Sequence, residues 1–372
     1  MSVRATPFHG RAASANPSNR WSERNGFTIA TDYGDALAEA IAARAGVVLA
    51  DISWRWRFFV QGTEAAACLS HLLTKSVTPL APGQSLKALW LNDGGGMRGA
   101  GVVARYAGDK FMIVSAATDG AWFAEAARQF GFSLRDVTEA EGGLALIGPQ
   151  AKATLDAAGL NTELAPLEFR KLFWRGLDIT ISRWGEQEGY EIWCGADDCH
   201  LLWDRLMKAG AAFDIRPAGL AASDILDVEA GVPRPGRDYL PSVDGFDGAP
   251  SPASLGLESL IDESHAIFNG RVAWLAARSS EKRTMVGIEI DSETPASFTP
   301  LLHAGSIAGH TLTSIRSPVL RRAIALAQVE KFLSAPGTEF SLVLPLSPEN
   351  LLTRSVAARV VSLPFLKPAS AP

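Results

Sequence analysis

The sequence predicts an α+β fold followed by a small all-β domain, and two patterns support this prediction. Over about the first 240 residues, strand-like runs pair locally and helical segments lie between them, unlike the strict alternation of a doubly wound parallel sheet. From about residue 284 onward, short strands follow at regular spacing with no long helix between them, which indicates a barrel or a sandwich.

The composition is that of a globular protein with a large core. The chain has 372 residues, of which 47% are hydrophobic and 20% are charged. A net charge of -5 argues against nucleic acid or an anionic membrane as partner, so a small-molecule substrate is expected. No apolar run approaches the ~20 residues that a membrane helix needs. Three cysteines, an odd number, indicate a reducing compartment such as the cytoplasm, and their spacing predicts no metal site.

The first half begins with a small, polar segment, residues 1–20, which we expect to be a flexible N-terminal arm. Apolar periodicity and helix-end signals then predict the elements up to residue 147. The predicted helices cover residues 32–45, 63–74 and 119–130. The predicted strands cover residues 47–50, 51–62, 85–91, 101–106, 110–115, 134–138 and 143–147.

The second half repeats this rhythm, so residues 21–147 and 148–245 are expected to be two related halves of one α+β core. Its predicted helices cover residues 151–158, 200–208 and 219–229. Its predicted strands cover residues 167–173, 177–183 and 211–215, with one more strand ending near 193. Residues 241–252 are predicted to be a linker or a long loop. Residues 246–283 are expected to form the segment that connects the core to the next domain. A β-barrel domain over 284–363, with strands at 285–290, 309–315, 324–329 and 341–344, and a tail over 364–372 complete the chain.

A glycine-rich turn stands out between two predicted strands, where five glycines fall within residues 94–101. Glycine adopts positive φ and lets a backbone or a ligand approach closely, so this turn is predicted to line a site. Asp93 and Arg98 flank the glycines. Asp93 could act as a base or stabilise a cation and Arg98 could bind a phenolate or carboxylate, or both could be turn residues in water.

Aromatic residues offer further candidates. On a strand, Trp54 and Trp56 would share one face, which could wall an aromatic pocket or belong to the core. A phenol can serve as a general acid, which makes Tyr190, Tyr106 and Tyr239 candidates. Arg237 follows a helix end, where it could reach a cavity or lie in a surface turn.

Five segments in this order resemble the aminomethyltransferase family, which comprises the glycine cleavage T-protein and its folate-dependent demethylase relatives. They cover much of residues 30–345 and are residues 45–53, 92–103, 183–192, 219–231 and 309–327. The resemblance implies a three-domain ring around a central cavity that holds the folate pterin. It also implies that Glu191 accepts hydrogen bonds from the pterin's donor edge and that Asn92 belongs to the site; otherwise Glu191 would be a strand carboxylate that faces solvent.

The sequence departs from the family pattern where the family carries its chemistry. The catalytic aspartate falls on Gly99 and the next acidic position on Ala100, while a family asparagine falls on Ala116. Two arginines suited to an anionic tail fall on Ser223 and Asp227. Gly99, being small, is expected to make room for a bulkier substrate.

The resemblance therefore implies a one-carbon enzyme that acts on a small aromatic substrate. The first hypothesis is a tetrahydrofolate-dependent demethylase or methyltransferase. The second is a folate-independent lyase that releases formaldehyde from a hydroxymethyl-bearing aromatic compound, as part of aromatic compound catabolism. The third is a non-catalytic folate-binding helper protein.

Overall fold

The computed structural model describes residues 3–117, 119–160, 163–185, 188–243, 248–347 and 350–366. The helices, labelled in chain order, are α1 His9–Ala15, α2 Ala36–Ala45, α3 Ala65–Leu72, α4 Gly120–Phe130, α5 Ala151–Ala157, α6 Cys199–Gly210, α7 Leu220–Glu229 and α8 Arg271–Arg278. The strands are β1 Arg4–Ala5, β2 Trp21–Arg24, β3 Phe27–Ala30, β4 Val48–Asp51, β5 Trp56–Gln61, β6 Ser85–Leu91, β7 Met97–Ala107, β8 Lys110–Ser115, β9 Ser133–Asp136, β10 Glu141–Ile147, β11 Phe169–Trp174, β12 Leu177–Ser182, β13 Gly189–Gly195, β14 Arg216–Ala218, β15 Arg283–Ile290, β16 Pro300–His303, β17 Ser306–Ser317, β18 Arg322–Glu330, β19 Glu339–Ser347 and β20 Asn350–Val361.

The chain forms two compact units. The first contains the chain up to Trp90, Gly99–Ser223 and Asp262–Asn269, and the second contains Leu91–Arg98, Asp224–Ile261 and the chain from Gly270 onward. Among the described residues, no helix is both long and apolar enough to cross a membrane. This division does not test the expected domain boundaries, which stay predictions.

The first unit contains a six-stranded sheet with the order β11-β12-β13-β10-β4-β14, in which only the β4–β14 pair is parallel. One face of this sheet packs against α5 and α6 in a hydrophobic core that includes Leu146, Ile192, Leu155 and Leu202. Side chains alternate along a strand, so the residues between these point to the opposite face. That opposite face carries the candidate site.

A five-stranded sheet with the order β6-β7-β8-β5-β9 also belongs to the first unit. One of its faces packs against α3 and α4 in a second core, which contains Phe58, Trp90, Ile113 and Phe123. Helix α4 ends where Gly131 adopts a left-handed conformation with φ of 63°. The strand-rich core with interspersed helices confirms the predicted α+β class.

The second unit contains a closed six-stranded barrel with the order β15-β18-β17-β16-β19-β20. Strand β15 pairs with both β18 and β20, which closes the barrel and leaves no free edge. Small and branched residues such as Ala325, Ile288 and Leu342 fill its interior. The predicted barrel is therefore confirmed, and β16 and β20 are strands that the sequence pattern did not predict.

The prediction of a flexible arm over residues 1–20 is wrong for the described part of that segment. Helix α1 forms there, β1 pairs in parallel with β3, and Phe8 is fully buried in the core of the six-stranded sheet. The Phe8 ring lies 6.2 Å from that of Trp203. A single buried aromatic anchors a segment whose other residues are mostly small or polar, and periodicity does not detect such an anchor.

The strand predicted over residues 211–215 is also wrong. Ala211–Phe213 is a short 3₁₀ helix, and Asp214 adopts a left-handed conformation with φ of 53°, so the strand begins only at Arg216. Helix α8 lies in the segment that was predicted to be only a connection. The predicted linker and tail fall in part, residues 244–247 and 367–372, outside the described residues.

Candidate functional site

The candidate site lies on one face of the six-stranded sheet, which we call the glutamate face because it carries Glu191. Tyr190, Ile192 and Cys194 of β13 point into or against the hydrophobic core, so Glu191 and Trp193 point the other way. Their neighbours in register on the glutamate face are small or carry a hydroxyl: Ala50, Gly143, Ala145, Thr180 and Ser182. These short side chains form a low floor around the carboxylate.

Trp193 lies against this floor because Gly143, its partner in register, has no side chain. A Cβ atom on Gly143 would lie 2.5 Å from the indole ring, which excludes any larger residue without movement of the ring. The glycine thus allows a large flat side chain to lie close to the sheet beside Glu191.

Glu191 is buried, with 3% of its surface exposed, and is held by an arginine. Nη1 of Arg55 donates a hydrogen bond of 2.6 Å to Oε1 of Glu191. The other carboxylate oxygen, Oε2, is buried and has no hydrogen-bond partner among the described residues. The alternative of a solvent-facing strand carboxylate is therefore wrong, and an oxygen that would be costly to leave unpaired is available to a ligand or to water.

Arg57 makes a second ion pair from β5 to the six-stranded sheet. Its side chain is 1% exposed, it pairs with the carboxylate of Glu141, and its guanidinium carbon lies 4.0 Å from the ring centroid of Trp193. Phe58 and its neighbour Trp56 pack instead in the core of the five-stranded sheet. The alternating arginines thus reach across to the six-stranded sheet.

Tyr106 lies next to Arg57 and also faces the six-stranded sheet. Its hydroxyl donates to Oγ1 of Thr180 at 3.4 Å, and its ring packs against those of Phe59 and Phe169. Burial raises the pKa of Tyr106, while the charge of Arg57 and the hydrogen bond with Thr180 act in the opposite direction. The phenol therefore keeps its proton at neutral pH.

The glycine-rich turn packs against other segments of the second unit. Oδ1 of Asn92 accepts a hydrogen bond of 2.8 Å from the amide of Gly96, and Nδ2 of Asn92 donates one of 2.8 Å to Ser242. Gly95 has φ of 80°, and a Cβ there would lie 2.7 Å from the amide nitrogen of Trp274. The close approach that these glycines allow is thus made by the protein's own backbone.

The two residues beside that turn have different surroundings. Asp93 is exposed, as a turn residue in water would be, whereas Arg98 is buried. No further geometric observation supports a catalytic role for either, so their assignments stay predictions.

Gly99 and Ala100 point to opposite faces of β7. A Cβ on Gly99 would lie 2.5 Å from the indole ring of Trp90, whose Nε1 donates a hydrogen bond of 2.9 Å to Oδ2 of Asp119. The expectation that Gly99 makes room for a bulkier substrate is wrong, because Trp90 fills that space. Ala100 points to the other face of the sheet, the one from which Arg57 reaches its partners.

The expectation that Trp54 and Trp56 share one face is wrong as well. Strand β5 begins only at Trp56, so the two-residue period does not extend back to Trp54. Trp54 packs with Phe27, Ile29 and Leu220, while Trp56 packs against the core of the five-stranded sheet. They belong to two different hydrophobic clusters and do not form one wall.

Tyr190, the neighbour of Glu191, is on the wrong side of the sheet to act with it. It packs partly buried against the core on the helix-covered face, where burial raises its pKa and the charge of Arg183 lowers it. The structure does not bring Tyr190 and Glu191 together.

Arg237 and Tyr239 belong to a polar cluster of the second unit. Nη1 of Arg237 lies 2.5 Å from Asp224, and its Nε lies 3.5 Å from Asp238. Tyr239 is buried with no hydrogen-bond partner for its hydroxyl among the described residues, and burial together with the charge of Asp238 raises its pKa. Asp227, at a position where the family pattern has arginine, forms an ion pair with Arg234.

This cluster contains three aspartates and two arginines, Asp224, Asp227, Asp238, Arg234 and Arg237. Each arginine already has a carboxylate partner. The cluster thus offers no excess positive charge to an anionic group, which agrees with the loss of the two family arginines from this helix.

The sequence prediction missed Arg55, Arg57, Glu141 and Thr180. The alternation of tryptophan and arginine over residues 54–57 was the available signal, since on a strand it places Arg55 and Arg57 on one face. Glu191, the partner of Arg55, lies 136 residues away in the sequence. Both carboxylate partners, Glu191 and Glu141, belong to the six-stranded sheet, so no local pattern could identify them.

Comparison with known proteins identifies the family. The family profile of the GCVT N-terminal domain matches residues 10–260, and that of the glycine cleavage T-protein C-terminal barrel domain matches residues 283–367. The chain belongs to the glycine cleavage T-protein family. This confirms the resemblance that the five sequence segments indicated.

Similar proteins agree with this assignment. An aminomethyltransferase from Frankia alni is 30% identical over 346 residues, which cover 90% of this chain and 92% of that protein. The crystal structure of the glycine cleavage system aminomethyltransferase T from Bartonella henselae is 27% identical, with a TM-score of 0.86 over 98% of both chains. The predicted T-protein family fold is therefore confirmed.

Another family relative has a different name. The trimethylamine-oxide aldolase of Ruegeria pomeroyi is 28% identical over 359 residues, which cover 91% of this chain. The chain spans 44% of the length of that relative. Since the T-protein family relatives are enzymes, the chain is a one-carbon enzyme of this family.

Proposed function

We propose that the chain is a tetrahydrofolate-dependent one-carbon transferase that demethylates a small aromatic methoxy compound or methylated amine. The observation that carries this proposal is Glu191, a buried carboxylate with one oxygen free of partners, at the position that the family uses for the pterin. A carboxylate matches the N–H donors of an aminopyrimidine edge in both charge and direction.

The residues of the glutamate face fit the pterin end of the cofactor. Glu191 would hold the donor edge, and its small neighbours in register, Ala50 and Ala145, leave a flat ring little side-chain obstruction. When bound, tetrahydrofolate would supply N5 as the methyl acceptor. The two arginines that the family pattern offers to an anionic tail are absent, since this chain has Ser223 and Asp227 at those positions. We therefore expect affinity to depend mainly on the pterin.

The leaving oxygen or nitrogen of the substrate needs a proton, and Tyr106 can give one. Its partner Thr180 is two residues from Ser182, which is the register partner of Glu191, a separation of about 7 Å along the strand. Arg57 beside Tyr106 would stabilise the phenolate that forms when the proton leaves. Ala100 and Ala116 supply no acid, so this phenol takes the role of proton donor in our proposal.

Calorimetric titration with tetrahydrofolate tests the proposal. We expect saturable binding by the wild type and at least a tenfold weaker affinity for Glu191→Gln, since a neutral amide loses the charge-assisted acceptors. Tyr190→Phe is the matched control, because it lies on the same strand but on the opposite face. Absence of saturable binding at millimolar tetrahydrofolate would reject the folate-dependent function.

The second candidate is the folate-independent lyase. It is favoured by the absence of an acid at Gly99 and Ala100 and by the relative named as an aldolase. Such a lyase would remove the hydroxyl proton of a hydroxymethyl group, break the carbon–carbon bond and release formaldehyde, while the electron pair enters the aromatic product. Formaldehyde release from hydroxymethyl aromatics without added folate would support this candidate.

The family relatives do not favour the non-catalytic helper, since they are enzymes. A cytoplasmic location remains part of our proposal. The three cysteines, all free and buried, are compatible with a reducing compartment.

A further inference from the structure

The Arg55–Glu191 ion pair retains hydrogen-bonding capacity on both of its members. Nη1 of Arg55 uses one N–H on Oε1 of Glu191, while Nε and Nη2 make no hydrogen bond within the described ranges of the chain. On the other side, Oε2 of Glu191 is a buried acceptor that no described residue satisfies. The pair therefore offers an acceptor and donors next to each other.

We propose that Arg55 and Glu191 together read an edge that has a hydrogen-bond donor beside an acceptor, namely the lactam edge of a 4-oxopteridine. This inference rests on the proposed folate-dependent function. The ring N–H next to the 4-oxo group donates to Glu191, and the 4-oxo oxygen accepts from Arg55. Arg55 is in this role a specificity-determining residue that a lone carboxylate could not replace.

The reason is the difference between one carboxylate and an arginine–carboxylate pair. A carboxylate by itself only accepts, so it can bind either ring through the N–H groups of the 2-amino substituent that both rings carry. The 4-oxo ring adds the N–H next to the oxo group, which a neutral 4-amino ring lacks, so Glu191 supplies part of the preference and Arg55 supplies the rest. A guanidinium only donates, and it would face the N–H groups of a 4-amino ring without forming a bond. A site with fixed donors rejects a ligand that leaves them unpaired.

The position of Arg55 suits this role because the ion pair restricts its movement. The side chain is 21% exposed, and its guanidinium carbon lies 5.8 Å from the ring centroid of the buried Trp54. Contact with Glu191 at one end of the guanidinium fixes the direction of the remaining N–H groups, because the group is planar and rigid.

The test compares two ligands by calorimetry: tetrahydrofolate and its 4-amino analogue, in which an amino group replaces the 4-oxo acceptor and the adjacent ring N–H is lost. The wild type should bind the 4-oxo ligand at least about tenfold more tightly, as expected for one unmatched charge-assisted contact. Arg55→Met should reduce this preference by about threefold or more, because only the part that Glu191 supplies remains. Arg55→Lys, which keeps a cationic donor, should show a smaller reduction. Arg170→Met, an exposed arginine of the same sheet, is the control for loss of charge.

Thermal unfolding of each variant shows whether it is folded. If Arg55→Met is not folded, the double variant Arg55→Met/Glu191→Gln takes its place, because it removes both charges of the ion pair. Equal binding of both ligands by the wild type, or an unchanged preference in folded Arg55→Met, would overturn the inference and leave the proposed function intact. If neither ligand binds at millimolar concentration, the proposed function fails and this inference fails with it.

Discussion

The indole of Trp90 occupies the space directly above Gly99. A Cβ atom added to Gly99 would lie 2.5 Å from the Trp90 ring, which is fully buried among Phe123 and other residues of the core. The large side chain of Trp90 thus fits only because Gly99 has no side chain. Any side chain at position 99 would therefore have to displace the Trp90 ring.

We therefore expect Gly99→Asp to destabilise the protein strongly and Ala100→Asp to be better tolerated. Gly99→Asp forces a charged side chain into the Trp90 core, which should lower the free energy of unfolding by about 3 kcal/mol or more. Ala100 points to the other face of the strand and is partly exposed, so its substitution should cost at least about 1 kcal/mol less. Urea unfolding of both variants measures the difference, and equal losses would contradict this account.

The sequence predicted the elements of this fold well where one face of each element is apolar and the period is regular. Strands Ser85–Leu91 and Lys110–Ser115 were predicted with their observed ends. It failed where a single residue decides the structure, as with the buried ring of Phe8 and the left-handed conformation of Asp214. Neither effect changes hydrophobic periodicity.

The candidate site was predictable only in part. Family resemblance located Glu191, and its burial agrees with a site. Arg55 could not be assigned to it, since its ion pair with Glu191, 136 residues away in the sequence, depends on tertiary packing. The functional interpretation of Gly99 also failed, because the sequence does not say which large side chain fills the space above a glycine.

The Arg57–Glu141 pair should be asymmetric in its contribution to stability. Arg57 is almost fully buried, whereas the side chain of Glu141 is 33% exposed. Glu141→Gln leaves a buried guanidinium without its counter-charge and should cost about 2 kcal/mol or more. Arg57→Met leaves a carboxylate that water can reach, so it should cost less than about 1 kcal/mol. Denaturant unfolding of the two variants gives the order, and the opposite order would argue against this charge assignment.

Tyr106→Phe should affect turnover and leave folate binding intact. It removes the proposed proton donor without changing the ring that packs on Phe59 and Phe169, so we expect a loss of about 10²–10⁴-fold in kcat. Affinity for tetrahydrofolate should stay within about threefold of wild type, since Glu191 is untouched. Tyr190→Phe should have little effect on either quantity, and a large loss in that control instead would assign the acid to the other face.

The buried tyrosines should make the protein sensitive to high pH. Burial raises the pKa of Tyr33, Tyr106 and Tyr239 above their ordinary value of about 10, so the folded state holds these protons more tightly than the unfolded state. The unfolded state therefore loses protons first, and this contribution to stability is complete below about pH 10 and declines as the pH rises further. Each tyrosine can lower the free energy of unfolding by at most about 1.4 kcal/mol per pH unit in this range. Urea unfolding between pH 8 and pH 11 should show this decline in the free energy of unfolding. Tyr239→Phe should make the decline shallower, because Phe cannot ionise. An unchanged slope in Tyr239→Phe would contradict a raised pKa of Tyr239 in the folded state.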